Sequence, residues 1–198
     1  MINETRPRSQ QKAERRALLL RSAARLFADQ GFRSVRLEDL GAAAGISGPA
    51  VYRHFANKEN VLTELLVGIS IRLLEGGRKV VADSSSDQEA LENLIDFHVD
   101  FALNDPELIR IQDRDFTSLP QTAKHQVRRL QREYVEVWVS VQTRLSADLE
   151  VSAARTKAHA ALGLINSTPH SVPRNRHSQS RQLLRSMARA ALLAPPAD

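Results

Sequence analysis

The chain of 198 residues contains no cysteine. Disulfides and thiolate metal sites are thereby excluded, and a reducing, intracellular compartment fits without being required. No apolar run approaches the roughly 20 residues that cross a bilayer. The start of the chain, MINETRPRSQQK, has no apolar core of the signal-peptide kind. The expectation is a cytoplasmic protein with no membrane partner. Strand-like alternation of polar and apolar residues is missing, and no segment repeats. No H-x-x-x-H or nucleophile motif occurs. The candidates for acid–base or metal chemistry are His98, Asp113, Asp115 and His125. Nothing in their spacing supports either role, so neither an enzyme nor a cofactor is expected.

What the chain does have is an uneven charge, with a formal net of +5. Up to Asn60 there are eleven Lys and Arg against six Asp and Glu, and beyond it seventeen against seventeen, so the whole excess lies in the first segment. That asymmetry points to a polyanionic partner. Two domains are expected, 1–60 and 61–198, the first opening with a flexible basic arm over about 1–11 that carries Arg6, Pro7 and Arg8.

Helical periodicity accounts for the rest, and the fold class is all-α. From Lys12 to Gln30 an apolar stripe of Leu20, Ala23, Ala24 and Phe27, widened by Leu19 and Leu26, ends at Gly31. Ser34 is placed to cap the next helix, whose buried face is Leu37, Leu40, Gly41 and Ala44. After Asn57, a cap for the helix that opens with Lys58, the stripe Leu62, Leu65, Leu66, Ile69 and Leu73 makes a long connector, weakened at its end by Gly76 and Gly77. Ser86 and Glu89 form a capping box for a helix carrying Leu91, Leu94, Ile95, His98, Phe101 and Ala102. Asp105 and Pro106 start a helix that the segment RIQDRDFTSLP interrupts or ends. Further helices are expected over Thr122–Ser146, Ser152–Asn166 and Ser180–Leu193, with Asn166–Ser180 as a loop or broken turn.

The most informative stretch runs from Gly45 to Lys58, GISGPAVYRHFANK. Gly45 can take the positive φ of a tight turn between two helices, Ile46 is an apolar plug for that turn, and Ser47 followed by Pro49 suits a helix start. Val51 and Phe55 lie four apart on one side of the short helix that follows, leaving Tyr52, Arg53 and His54 for the others. By periodicity alone this is either a DNA-binding helix-turn-helix or a plain α-hairpin.

The order Gly31-Phe32, Ala42 to Ser47 (A-x-x-A-G-I-S), Tyr52 to Phe55 (Y-x-H-F) and Ala56 to Glu59 (x-N-K-E) resembles the tetracycline-repressor (TetR) family of bacterial transcription regulators over about residues 12–66. The resemblance implies a homodimeric repressor that binds a palindromic double-stranded operator and senses a small-molecule effector. It implies phosphate contacts from Tyr52, His54 and Lys58, with Ser34 and Arg36 near the backbone, and base reading by Arg36, Gly48, Pro49, Ala50 and Arg53. Gly48, Pro49 and Ala50 offer no bidentate hydrogen bonds, so thymine methyls and a close backbone approach would carry that part of the reading.

In the second segment Phe97, His98, Phe101, Phe116, Trp138, Gln142 and Asn166 are aromatic or polar residues on apolar helices. They are pocket candidates or plain core. The family implies the pocket, and the Asn166–His170 stretch, N-S-T-P-H, resembles regulators linked to fatty-acid or steroid breakdown in actinobacteria, which favours an acyl or acyl-CoA effector. The small and apolar faces of the last two helices, Ala153, Ala154, Ala158, Ala161 and Ile165 with Leu183, Leu184, Met187, Ala188 and Ala191, either close the chain's own core or, as the family implies, form a dimer-making bundle. A helical ligand-binding or scaffold protein that does not use its DNA domain is the alternative.

Overall fold

The computed structural model describes residues 8–172 and 177–195, in which every regular element is helical. In order these are α1 (Arg8–Gln30), α2 (Leu37–Ala43), α3 (Gly48–Val51), α4 (Lys58–Asp83), α5 (Asp87–Asn104), α6 (Pro106–Asp115), a 3-10 turn (Phe116–Ser118), α7 (Gln121–Leu145), α8 (Val151–Ile165), α9 (Thr168–Ser171) and α10 (His177–Leu193). The all-α expectation holds. Of the expected arm, residues 1–7, Arg6 and Pro7 included, lie outside the described residues, as do Pro173 and Pro196. Arg8–Gln11 are not an arm: they form the first turn of α1. Arg and Gln carry little helix penalty, so nothing local stops the helix short of them.

Two clusters of buried side chains organise the chain. The first joins Leu19, Ala23 and Phe27 of α1 to Leu37 and Leu40 of α2, Val51, Phe55, and Leu62 and Leu66 of α4. Ile111 of α6 and Leu119, Ala123 and Val127 around the start of α7 complete it. The second is built on α5 (Leu91, Leu94, Ile95), α7 (Trp138, Val141), α8 (Ala154, Ala158, Ala161, Ile165) and α10 (Leu184, Ala188, Leu192). Each fully buried Leu or Phe contributes about 1.5–3 kcal/mol of transfer free energy. α4 and α7 run through both clusters, and α4 carries the chain across residue 60 without a break.

Three local expectations are corrected. Ser34 is not the cap of α2. Arg36 occupies that position, and its backbone N–H donates to the Asp39 carboxylate at 2.7 Å. Gly76 and Gly77 do not weaken the end of α4, which continues to Asp83. A Cβ at Gly76 would stand 2.3 Å from the Phe97 ring, and one at Gly77 2.6 Å from the Tyr134 ring, so these positions let α5 and α7 close onto α4. The segment after Asn166 is not simply a loop, since it contains α9: the buried Thr168 hydroxyl donates to Ala102 O at 3.0 Å, and Arg110 donates to Pro169 O at 3.0 Å.

α10 is held across α5 by an antiparallel ladder of charges. Arg181 pairs with Asp100, Arg185 with Asp96 at 3.3 Å, and Arg189 with Glu92 at 2.6 Å. Exposed pairs of this kind contribute at most about 1 kcal/mol each. Spaced by four on both helices, they fix the register of α10 on the bundle.

Candidate functional site

The turn between α2 and α3 is a tight one. Gly45 sits at φ +66°, and the Ile46 N–H donates back to Gly41 O at 2.8 Å. A Cβ at Gly41 would meet Val51 Cγ2 at 2.5 Å, so the absence of a side chain there lets α3 pack flush on α2. Ser47 stands at the start of α3 as expected, although its hydroxyl makes no capping bond. Asn57 does cap α4, accepting from the Asn60 N–H at 2.8 Å. This is helix-turn-helix geometry, with α3 presented outward: Val51 and Phe55 are buried, Gly48 and Ala50 half-buried, and Pro49, Tyr52 and Arg53 exposed.

The residues expected to meet DNA are in different states. Arg36, Arg53 and Ser34 are exposed. The Tyr52 hydroxyl donates to the Glu38 carboxylate of α2 at 2.6 Å, which lowers the pKa of Glu38 and raises that of Tyr52. His54 is half-buried with an unpartnered, buried Nδ1. Burial first, then the neighbouring Arg16, Lys12, Arg15 and Arg53, lower its pKa, so it is neutral at neutral pH. Lys58 requires a correction, because its ammonium is not a free cation. It donates to Phe32 O, Arg33 O and Val35 O at 2.9, 3.2 and 3.1 Å and lies 4.5 Å from the centre of the Phe32 ring. Its three donors tie the loop between α1 and α2 to the start of α4.

Behind this unit lies a cavity of about 310 Å³ between α4, α5, α6, α7 and α8. Ile69, Leu73, Phe101, Leu108, Ile109, Val135 and Leu162 supply its apolar wall. Among the described residues neither Lys nor Arg lines it. Its deep polar group is a relay. His98 is fully buried, which depresses its pKa to about 4, so the ring is neutral. Nε2 lies 3.1 Å from Asn166 Oδ1, an acceptor only, so Nε2 carries the proton. Nδ1 then accepts from the Tyr134 hydroxyl at 3.1 Å.

Of the pocket residues read from the sequence, His98, Phe101 and Asn166 line this cavity. The others are corrected. Phe97 packs over Gly76, and Phe116 joins the first cluster under the Arg128 guanidinium. Trp138 is wholly buried behind the relay, edge-on to His98 and Tyr134. Gln142 bridges α7 to α8 by donating to Trp138 O and Ala154 O. Tyr134, Ser70, Gln112, Gln131 and His159 were missed. Tyr134 gave a signal, a hydroxyl on the apolar stripe of a long helix, but its spacing fits plain core equally well. Of the acid–base candidates, Asp113 lines the cavity with His98, whereas Asp115 faces α1 and His125 is exposed. Among the described residues no three metal-ligating side chains converge.

α6 connects the cavity to the helix-turn-helix. Leu108, Ile109, Gln112 and Asp113 line the cavity, and the next two residues grip α1. Arg114 donates to Phe27 O and, at 3.2 Å, to Ala28 O, satisfying carbonyls of the last turn of α1, where a cation also suits the helix dipole. Arg114 pairs with the buried Asp115, which also accepts from the Phe32 N–H at 3.4 Å.

The expected dimer residues divide. Ala154, Ala158, Ala161, Ile165, Leu184 and Ala188 belong to the chain's own core, because α8 and α10 first close the second cluster. Leu183 and Met187 point outward, 61% and 45% exposed, with Ala160 and Gly163 of α8 exposed as well. Ala153 and Ala191 are half-buried.

Residues 19–65 match the model of bacterial regulatory proteins of the tetR family, and residues 84–170 match a tetracyclin repressor-like C-terminal domain. The transcriptional repressor KstR2 of Rhodococcus jostii (strain RHA1) is 38% identical over 84 residues, 42% of this chain and 41% of that protein. The transcriptional activator FasR of Mycolicibacterium smegmatis is 28% identical over 111 residues, 56% of this chain and 51% of that one. The matched segment thus spans about two fifths to half the length of these relatives. Two solved structures share the fold: a TetR-family regulator from Bordetella parapertussis (TM-score 0.81, 22% identity, 90% of this chain and 94% of the other), and AibR in complex with isovaleryl coenzyme A and operator DNA (TM-score 0.76, 18% identity, 92% and 100%). With both halves matched in sequence and the fold shared over nine tenths of the chain, the protein belongs to the tetR family of bacterial regulatory proteins.

Proposed function

We propose that the protein is a repressor that binds a two-fold-symmetric operator as a homodimer and is released from it by a hydrophobic acyl ligand seated in the α4–α8 cavity. Residues up to about 60 read the DNA, and the rest hold the ligand and the second copy. The observation that carries this reading is α6, which walls the cavity with Leu108, Ile109, Gln112 and Asp113 and clasps the end of α1 through Arg114 and Asp115. A ligand that changes the position of α6 therefore acts on the helix-turn-helix, and α4, which lines the cavity and opens next to α3, moves with it.

The lining selects the ligand class. Apolar walls favour an acyl chain, and the neutral His98 leaves no charge at the deep end. The Asn166 amide, its oxygen already engaged by His98, has N–H groups for an uncharged oxygen such as a carbonyl. With no cation among the described residues of the wall, the charged part of an acyl-CoA belongs at the mouth, where Asp113, His159 and Gly163 are exposed. The neighbour AibR, whose structure holds isovaleryl coenzyme A, supports this class.

One short recognition helix per chain offers too few base contacts for useful specificity, so two copies on half-sites about one helical turn apart are required. Leu183 and Met187 of α10, with the exposed Ala160 of α8, supply the outward apolar face for pairing. The test combines a thermal-shift screen of fatty acids and acyl-CoAs with mobility shift on fragments of the protein's own promoter region. An acyl compound that raises the melting temperature should also release the DNA. Hits confined to sugars or hydrophilic cations would overturn the ligand reading, and failure to shift any fragment would overturn the DNA reading.

A further inference from the structure

We propose that Arg8, Lys12 and Arg15 of α1, together with Arg53 just after α3, form a seat for one DNA backbone phosphate beside the recognition helix. The proposal rests on the reading of the helix-turn-helix as DNA-binding and adds a contact from a helix outside that motif. Arg8, Lys12 and Arg15 lie at i, i+4 and i+7 of α1 and share one exposed face. With Gln11, Ala50, Arg53 and His54 they line a cleft of about 390 Å³, and among the described residues no carboxylate lines it. Ala50 and Arg53 flank the outward side of α3, so the cleft opens where a duplex held by α3 would present its backbone.

Among the described residues no acidic group compensates the charge in this cleft. Among the described residues neither Arg8, Lys12, Arg15 nor Arg53 forms an ion pair, whereas the adjacent Arg16 is fully used. Arg16 pairs with Glu64, donates to His54 O at 2.6 Å and lies 4.2 Å from the centre of the Phe55 ring. It pins the chain after α3 and leaves its neighbours to an outside partner. Four like charges on one cleft repel one another, and an anion held among them relieves that repulsion. The field is felt at His54, whose pKa is lowered first by burial and then by Arg16, Lys12, Arg15 and Arg53. An arginine-lined cleft is suited to the planar, multidentate contacts that a phosphodiester accepts.

The test compares the full chain with Arg8→Ala/Lys12→Ala/Arg15→Ala, whose substitutions lie on an exposed helix face where alanine is the best helix former. A second variant, Arg8→Lys/Arg15→Lys, keeps the charge. Binding to an operator duplex and to a random duplex is followed by fluorescence anisotropy across a salt series. For one phosphate lost per protomer, the slope of log K against log salt should flatten by about 0.9 per protomer for the alanine variant. Both duplexes should weaken alike, because a phosphate contact positions without specifying sequence. The lysine variant should keep the wild-type slope. An alanine variant with wild-type slope and affinity would overturn the seat while leaving the DNA reading intact. Weakening on the operator alone would overturn it in favour of base reading, and inorganic phosphate competing at low millimolar concentration while the DNA slope stays unchanged would make the cleft a site for free phosphate instead. A wild-type chain that bound neither duplex would overturn both readings together.

Discussion

Acid should reveal how dry the relay at the bottom of the cavity is. His98 has a folded-state pKa of about 4 against an ordinary 6.5, because burial disfavours its charged form. Between these values the unfolded chain takes up a proton that the folded chain refuses. The contribution is therefore intact above pH 6.5 and lost as pH falls, at about 1.4 kcal/mol per unit. At pH 5 the loss is about 2 kcal/mol, and by pH 4 about 3 kcal/mol, a large part of the total stability of an ordinary domain. Carboxylates with lowered pKa, such as Glu38, Glu89 and Glu136, also cost stability in acid, so the measurement must be a difference.

The comparison is with His98→Gln, which cannot titrate. Its own stability at neutral pH should be lower by about 1–3 kcal/mol, because Tyr134 and Asn166 lose well-placed partners. Urea unfolding of both proteins, at one protein concentration and at several pH values between about 5 and 7.5, yields the gap between them. That gap should narrow by about 2 kcal/mol from pH 7 to pH 5. If the two curves run parallel with pH, His98 titrates as in water, the cavity floor is wet, and the assignment of an uncharged polar end to the ligand fails with it.

Arg114→Ala should leave acyl-ligand affinity within about twofold, since Arg114 does not line the cavity, while ligand-driven release of DNA weakens; equal release by both proteins would remove α6 from the coupling. Leu183→Glu with Met187→Glu should give a folded monomer by sedimentation that no longer holds the operator, and a persistent dimer would place the interface elsewhere. Charges at Leu184 or Ala161, 7% and 0% exposed, should instead unfold the chain, which circular dichroism separates from monomerisation. Glu38→Ala should tighten DNA binding severalfold in anisotropy titrations, because it frees the Tyr52 hydroxyl and removes a negative charge from the DNA-facing side; unchanged or weaker binding would show that the Glu38–Tyr52 pair positions rather than competes.

What could be read from the sequence was local. Gly45 and Asn57 announce their turn and helix start because the physics that places them, a positive φ or a cap, spans only three or four residues. Periodicity also located the buried faces of α2, α4 and α5, and pointed to His98 as the polar exception on an apolar side. It could not divide Leu183 from Leu184, since adjacent positions differ by only about 100° around a helix and two neighbours competed for the one face. Nor could it tell the role of Gly76, which depends on the Phe97 ring of another helix. Lys58 shows the same limit, because the carbonyls of Phe32, Arg33 and Val35 that accept its hydrogen bonds lie more than twenty residues back along the chain. One long-range feature did leave a trace that went unread: Glu92, Asp96 and Asp100 and Arg181, Arg185 and Arg189 are each spaced by four, a complementary pair of ladders.

The coupling that α6 is asked to carry can be bounded. Moving a two-state dimer from almost wholly DNA-competent to almost wholly released takes a differential affinity of about 5.5 kcal/mol, or about 2.7 kcal/mol at each of two cavities. A buried methylene is worth about 0.8 kcal/mol, so three or four carbons packed in the released state and not in the DNA-bound one suffice. The cavity of about 310 Å³ has room for that much chain and more. The ligand need not be large or bound tightly through polar contacts. On the proposed function it needs only to reach the stretch of α6 between Leu108 and Asp113, since Arg114 and Asp115 join that stretch to the last turn of α1. On the proposed function, reciprocity requires operator DNA to weaken the binding of the same ligand by the same factor, and most for chains long enough to press on α6.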